Sequence, residues 1–287
     1  MARRMPKKKI SIAIPASIVS DIPHLREKTS KVGLIGRAAA IFRISEIIVY
    51  LDDPEADQET DMNLVTKLLS YMETPQYLRK RLFKIKPELR YVGVLPPLRT
   101  PHHPTKSKMK NLKVGEYREG VTLARKIVGS LVDIGVEKPA LIPKAELPIN
   151  KRVTLRITKI NRRIEAELAR REEISDYWGY MTTGKKLPFT ELVKTRRYEL
   201  TLATSKYGND FAEVADQVAD RWKKADSILV AFGAPTQGLY EIVKREGLNL
   251  KKIADFVVNT IPKQGTETVR TEEALLASLA ILNHIST

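Results

Sequence analysis

Ile228 to Phe232 is an unbroken apolar run, and Phe256 to Val258 is a second, shorter one. A strand exposed on one face would alternate apolar and polar residues, whereas strands of a parallel sheet covered on both faces do not. Each run empties into a glycine-bearing loop, Gly233 to Gly238 after the first and Asn259 to Thr268 after the second. Each loop then enters a helical pattern. The first has its stripe at Leu239, Ile242 and Val243. The second has Thr271 as N-cap, Glu272 and Glu273 in the first turn, and a stripe at Leu275, Leu276, Leu279 and Leu282. Loops leaving the carboxyl ends of strands line the ligand crevice of an open α/β sheet, so these two predict one site. Periodicity by itself is equally satisfied by two ordinary βα turns.

The N-terminal third supplies more of the same sheet. Ile10, Ile12 and Ile14 alternate with Ser11 and Ala13 and predict a strand ending near Pro15; a helix over about Leu25 to Phe42 and a strand over Glu46 to Leu51 complete a βαβ unit. After the acidic stretch Asp52 to Asp61, helices are expected at about Met62 to Met72 and Pro75 to Phe83. Pro96 to Lys110 carries four prolines and reads as a linker or long loop, not as part of a core. His102 and His103 are adjacent on it, and adjacent side chains point apart, which argues against a metal role.

Between about Gly115 and Ala169 the pattern changes to short strands with turns: Glu116 to Val128, Ser130 to Val136, Ala140 to Pro143, Lys151 to Ile160 and Ile164 to Ala169. Five strands at this spacing predict a small Greek-key barrel of the OB type. Val153, Leu155 and Ile157 would face its core, with Arg152, Thr154, Arg156 and Thr158 outside. Past Ile174 the α/β character returns, with strands expected at Tyr177 to Met181 and Arg197 to Thr204 and a helix capped by Asp210 and reaching Trp222. The expected organisation is one discontinuous α/β domain, residues 1–92 and 166–287, interrupted by a barrel at 93–165; insertions are tolerated where chain ends lie together on a surface.

Charge narrows the partner. Fifty Lys and Arg against 34 Asp and Glu give +16 over 287 residues. Residues 93–165 hold 16 of the basic and 6 of the acidic residues, so +10 sits in a quarter of the chain. That concentration points to RNA, held through phosphates in a sequence-blind way. Only Tyr117 interleaves prominently with these charges, so grip is expected more than base stacking. Residues 1–9 form a basic tail. A 43% hydrophobic content suits a sizeable core; there is no cysteine, and the four histidines are scattered. No apolar run approaches membrane-spanning length. Neither a metal nor a membrane is expected, and the expected location is cytoplasmic.

The loops carry a resemblance. Ile228-Leu-Val-Ala-Phe-Gly233-Ala-Pro-Thr-Gln-Gly238-Leu resembles the G-x-E-x-x-G-L segment of the SPOUT RNA methyltransferases. Ile261-Pro-Lys-Gln-Gly265, running on to Ala277-Ser-Leu-Ala-Ile, resembles their I-P-M-x-G and N-V-S-x-A-A segments, and Lys31-Val-Gly33-Leu-Ile-Gly-Arg37-Ala-Ala their first motif, N-x-G-x-x-x-R-x-A. Lys31 stands where asparagine is usual, the Gly233 loop has no glutamate, and the asparagine of the last motif is missing.

The resemblance implies a trefoil-knotted parallel-sheet domain with an inserted OB-like barrel, working as a homodimer with its active site at the subunit interface. It implies S-adenosylmethionine as cofactor, held by Thr204, Ser205, Phe232, Gly233, Gly238, Asn259, Thr260, Ile261, Gly265, Thr266 and Thr268. Glycine there would let the backbone approach the adenosine. Arg37 would face the target nucleotide, donated across the dimer, with Glu267 as a base or cofactor contact. The inserted barrel is similar to that of a small archaeal and eukaryotic branch, which implies ribosomal RNA as substrate and a uridine ring nitrogen as target. A non-catalytic RNA-binding or ribosome-assembly protein on the same fold is the alternative, favoured by the absent glutamate and asparagine and opposed by the glycines and Arg37. A dinucleotide-binding enzyme is disfavoured, because no G-x-G-x-x-G follows the first strand.

Overall fold

The first apolar run becomes an inner strand of a six-stranded parallel sheet, and the second becomes one of its edge strands. In a computed structural model that describes residues 8–285, the chain forms β1 (Lys9–Pro15), α1 (Leu25–Ile41), β2 (Glu46–Leu51), α2 (Glu59–Glu73) and α3 (Gln76–Leu82). It continues through the barrel strands β3 (Tyr117–Lys126), β4 (Gly129–Asp133), β5 (Ala140–Pro143), β6 (Arg152–Ile160) and β7 (Ile164–Leu168). Then follow β8 (Met181–Pro188), α4 (Phe189–Arg196), β9 (Leu200–Asp210), α5 (Phe211–Lys224), β10 (Ser227–Ala231), α6 (Leu239–Arg245), α7 (Leu250–Ile253), β11 (Phe256–Asn259) and α8 (Thr271–Ile285). The first seven residues of the basic tail lie outside the described residues.

Backbone packing divides the chain into two units. One comprises the residues up to Ser70, Glu88–Pro96 and those from Tyr180 onward; the other comprises Tyr71–Pro87 and Pro97–Gly179.

In the first unit the strand order is β11-β9-β10-β1-β2-β8, every neighbour parallel. β1 lies inside, with Ile12 opposite both Val230 and Ile47. Ile12, Ile14, Ile47, Val49, Ile228 and Val230 are fully buried, as are Ala13, Ile48 and Leu229 on the alternate face. Burial on both faces is why β2 and β10 lack alternation, and in β1 the alternating Ser11 and Ala13 are buried too. Ala13, Ile48, Leu229 and Ala231 pack with Phe189 and Leu192 of α4, Leu239 and Ile242 of α6 and Leu250 of α7. Asp210 caps α5 as expected, accepting the Ala212 N–H at 3.1 Å. The strand expected at Tyr177 to Met181 instead begins at Met181: Trp178 and Tyr180 are buried side chains before it. β9 starts at Leu200, because Arg197 turns into the left-handed region (φ 46°) to end α4, and it runs on to Asp210. None of the helices among the described residues is long and apolar enough to cross a membrane.

In the second unit the order β3-β4-β5-β7-β6 closes into a barrel, antiparallel except for the β5–β7 pair. Val132, Ile134, Ile142, Leu155, Ile157 and Ile164 fill it. The expected outer face of β6 is only partly an open basic surface. Arg156 is exposed, but Arg152 reaches Glu73 at 2.6 Å and Glu119 at 2.6 Å, and Glu119 also accepts from Thr154 (2.7 Å) and the Trp178 indole (2.6 Å).

The proline-rich segment is no linker. Leu98 is 3% exposed and His102 0%, and the two histidine rings lie 4.3 Å apart, both Nε2 atoms on the Glu73 carbonyl at 3.0 and 2.7 Å. Prolines set backbone shape without saying whether the chain is wrapped by solvent or by a core. Among the described residues no group of His, Asp and Glu is arranged to hold a metal ion.

This cluster makes the barrel unit acid-sensitive. Burial of Glu73 would raise its carboxyl, but the hydrogen bond from His102 and the Arg152 guanidinium outweigh it and bring the group from 4.5 down to about 2. Burial, then the neighbouring His102, lowers His103 from 6.5 to about 4. In both windows, 6.5 to 4 and 4.5 to 2, the unfolded chain binds the proton that the folded unit refuses, so stability falls as pH falls. Trp178 lies in this unit and Trp222 in the other, and the chain has no further tryptophan. Thermal melts of Trp222→Phe followed by Trp178 fluorescence should show the melting temperature of the barrel unit dropping steadily below pH 6.5. A flat profile down to pH 4 would refute the neutral, half-buried His103.

Candidate functional site

β9 and β11 pair in step up to Ala203 and Val257, and the next pair is Asn209 with Val258. Residues 204–208 therefore bulge from β9 with nothing opposite them. Gly208 makes this possible: a Cβ there would stand 2.6 Å from the Val258 carbonyl carbon and 2.7 Å from the Val257 oxygen. Only a hydrogen fits so close to another backbone. Three bonds fix the bulge. Thr204 Oγ1 donates to the Ala231 carbonyl of β10 at 3.0 Å, Asn259 Nδ2 donates to the Lys206 carbonyl at 3.2 Å, and the Tyr207 N–H donates to Ser205 Oγ at 3.2 Å.

The loop after β10 is held as firmly. The Phe232 N–H donates to the Ala13 carbonyl at 3.0 Å, and its own carbonyl accepts from the buried Tyr50 hydroxyl at 2.8 Å. Burial, with Asp52 and Glu246 nearby, pushes that phenol well above its ordinary value, so it stays a donor. Thr271 Oγ1 of α8 donates to the Gly233 carbonyl at 3.1 Å, the Ala234 N–H closes the loop on Gln237 at 2.8 Å, and Glu241 accepts the Gly238 N–H at 2.5 Å. After β11, Asn259 Oδ1 accepts the Ile261 N–H at 3.0 Å, and the buried hydroxyls of Thr260 and Ser278 share a 2.7 Å bond that ties the loop to α8.

The three loops enclose a cleft of about 220 Å³. Of the residues singled out from the sequence, Thr204, Ser205, Phe232, Gly233, Gly238, Asn259, Thr260, Ile261 and Thr268 line it. Gly265 and Thr266 do not; Gly265 has no atom within 4 Å of where a Cβ would stand, so nothing in the chain itself demands glycine there. Glu267 is exposed beyond the lining, its carbonyl accepting from Gln264 at 3.0 Å. Arg37 is half-buried on α1 and also lies outside the lining. Lys31, at the position of the family's asparagine, is buried between Asp21 (3.5 Å) and Glu272 (3.6 Å), an ion-pairing role.

Sequence reading passed over Lys206, Tyr207 and Tyr240, which also line the cleft. The signal was present: an isolated glycine inside a strand pattern, Gly208, marks a bulge, and the polar and aromatic residues before it are what the bulge presents. Hydroxyls, amides and main-chain groups form the polar half of the lining, with Lys206 the one cation and Glu241 a carboxylate already engaged by Gly238. Such a donor and acceptor set, beside close backbone, fits a nucleoside bearing both charges of an amino acid and a sulfonium.

Residues 9–282 match the model of a family described as "Putative RNA methyltransferase". The chain belongs to this RNA methyltransferase family. Within it, an uncharacterized protein of Haloarcula marismortui is 33% identical over 288 residues, covering 95% of this chain and 98% of its own. The 28S rRNA (uridine-N(3))-methyltransferases of Homo sapiens and Mus musculus are 33% and 32% identical over 305 and 303 residues, covering 95% of this chain and 77% and 75% of theirs. The family match runs through both the sheet unit and the barrel unit, so this methyltransferase shares with its relatives more than the cleft.

Proposed function

We propose that the protein transfers a methyl group from S-adenosylmethionine to the ring nitrogen N3 of a uridine in ribosomal RNA. The observation that carries the reading is the convergence of the bulge within β9 and the loops after β10 and β11 on one cleft in a chain of RNA methyltransferase ancestry. The relatives named as uridine-N(3) methyltransferases of 28S rRNA supply the target class.

In this reading Thr204, Gly233, Gly238, Asn259, Thr260 and Thr268 hold the cofactor, whose sulfonium supplies an already activated methyl. The chain's own part is to bring N3 in line, exclude water and let the imide proton leave. When bound, the cofactor would supply the methyl group and leave as a thioether, while N3 would accept the methyl and give up its proton to solvent. Arg37 would orient the target nucleotide from a second copy of the chain. Supporting this, Leu34 and Ile41 lie one turn either side of Arg37 on α1 and are 54% and 48% exposed, and Leu276 on α8 is 47% exposed. The return of the chain from edge strand β11 to α8, which packs on α1, supports the trefoil knot. The parallel β5–β7 closure supports an OB-like barrel, and its charge supports a role for residues 93–165 in gripping RNA. The proposed setting is cytoplasmic.

Calorimetric titration with S-adenosylmethionine should give binding in the micromolar range, about −8 kcal/mol. Incubation with ribosomal RNA and methyl-labelled cofactor should then yield labelled 3-methyluridine after nuclease digestion. Cofactor binding without transfer to any RNA would leave a binding protein on an enzyme's fold; label on another atom would overturn the choice of N3.

A further inference from the structure

The hairpin joining β3 and β4 breaks the chemistry of its own turn. Lys126 pairs with Gly129, so the loop consists of two residues, Ile127 and Val128. Two-residue hairpin loops favour Asn-Gly, Asp-Gly or a leading glycine, because the matching turns need positive φ, which β-branched residues resist. Neither Ile127 nor Val128 adopts positive φ. The reversal is taken up at Gly129 (φ +139°), where a Cβ would stand 2.1 Å from the Ile142 carbonyl oxygen. The turn therefore places no demand for apolar side chains at its tip. Yet Ile127 is 108% exposed and Val128 57%. Two bare β-branched residues at the apex of a hairpin cost solubility and gain nothing in folding, and a local rule broken without structural return marks function.

The surroundings say what the tip meets. Arg125 and Lys126 are exposed on the hairpin itself, and Arg125 Nε is held by the Leu147 carbonyl at 2.9 Å. The 144–151 loop runs alongside: the Lys144 N–H donates to the Val128 carbonyl at 3.1 Å and Ser130 Oγ to the Ala145 carbonyl at 2.7 Å. Arg125, Lys126, Lys144 and Lys151 face one acid, Glu146, in these segments. An apolar protein partner would not call for such a cationic collar, whereas a polyanion with unstacked, apolar-faced bases matches both parts.

We propose that the Ile127–Val128 tip is an apolar wedge that contacts unpaired or partly unstacked bases of the RNA substrate, while Arg125, Lys126 and Lys144 hold the adjoining phosphates. The inference rests on RNA being the substrate, as proposed above, and adds where the barrel contacts it and through which kind of force. Apolar side chains inserted at base steps trade unstacking for contact area, and that contribution involves no counterion release.

The decisive variant is Ile127→Asn with Val128→Gly in the full chain, because it removes both apolar side chains while both replacements are common turn residues able to adopt the negative φ of these positions, so that it should fold. The probe is a fluorescein-labelled RNA stem-loop, titrated by anisotropy across a salt series, beside a fully paired duplex. The expected result is a loss of about tenfold in stem-loop affinity, on the scale of one stacked base. The slope of affinity against salt should be unchanged, and duplex binding little altered. Lys126→Gln with Lys144→Gln should do the converse, flattening the slope by roughly one unit for each phosphate no longer neutralised. Unchanged stem-loop affinity in the Asn-Gly variant overturns the wedge, as does an unchanged affinity accompanied by a shift in oligomeric state, which would make the tip a contact between copies. Cofactor titration of the wild type beside the variant keeps the two claims apart: failure of the wild type to bind cofactor sinks the enzyme reading, whereas the RNA titration alone decides the wedge.

Discussion

Replacing Arg152 by methionine should destabilise the barrel unit by about 3–5 kcal/mol, the cost of stranding a buried charge. The guanidinium is the shared partner of two carboxylates with almost no access to water, Glu73 at 6% and Glu119 at 1% side-chain exposure. Arg171 also touches Glu73, at 3.2 Å, but from a 31% exposed position, and it does not replace the bidentate contact. Without Arg152, Glu73 loses much of what holds its carboxyl low and should take up a proton within the neutral-to-acid range, so the loss should be larger at about pH 7 than at about pH 4. Urea unfolding of the Trp222→Phe background, read from Trp178, measures this directly. A change below about 1 kcal/mol would mean that the cluster is incidental to the unit's stability. Adding Glu73→Gln to the methionine variant should restore part of the loss, since the charge left uncompensated is then gone.

Gly208→Val should abolish S-adenosylmethionine binding, with a loss of at least about a hundredfold, or some 3 kcal/mol. The valine Cβ would fall 2.6 Å from the backbone of β11, and backbone paired to β9 does not yield as a side-chain end does. The bulge carrying Thr204 to Tyr207 must then lift away from β11, breaking the bond from Asn259 Nδ2 to the Lys206 carbonyl and opening one wall of the cleft. Circular dichroism should show the secondary structure retained, because the overpacking costs about 1–3 kcal/mol in a sheet otherwise intact. The companion variant Gly265→Val meets nothing within 4 Å and should bind the cofactor nearly as well as the wild type. Binding that survives in the Gly208 variant would remove the bulge from the site.

These two variants also mark where sequence reading succeeded and where it stopped. The sheet was legible because Ile228–Ala231 and Ile47–Tyr50 are buried on both faces and carry that burial as unbroken apolar runs. The barrel was legible because its strands alternate and its turns recur at short spacing. The loops at Gly233 and Asn259 were legible because each stands between a buried strand and a helix with a clear start. Harder to see was anything decided by a partner far along the chain. Glu73 meets His102 and Arg152 across 29 and 79 positions, and nothing local to Pro96–Lys110 announces that a histidine there will be fully buried. Gly208 marks a bulge in β9, but the size of the register jump depends on how β11 docks, which no single-strand pattern contains. Arg37 and Glu267 came from motif resemblance, and the single chain brings neither into the cleft lining.

The order of strands has a consequence for how the chain is made. β1 is flanked by β2, which follows it closely, and by β10, whose Ser227 partners Lys9 from 218 positions later. At roughly 5–20 residues per second, a nascent chain would hold β1 with one side unpaired for roughly 10–40 s. The barrel strands, all between Tyr117 and Leu168, find every neighbour long before that. Translation thus delivers a finished barrel ahead of a sheet that must wait for its last quarter, and during that wait the apolar edge of β1 is the part of the molecule most in need of a chaperone.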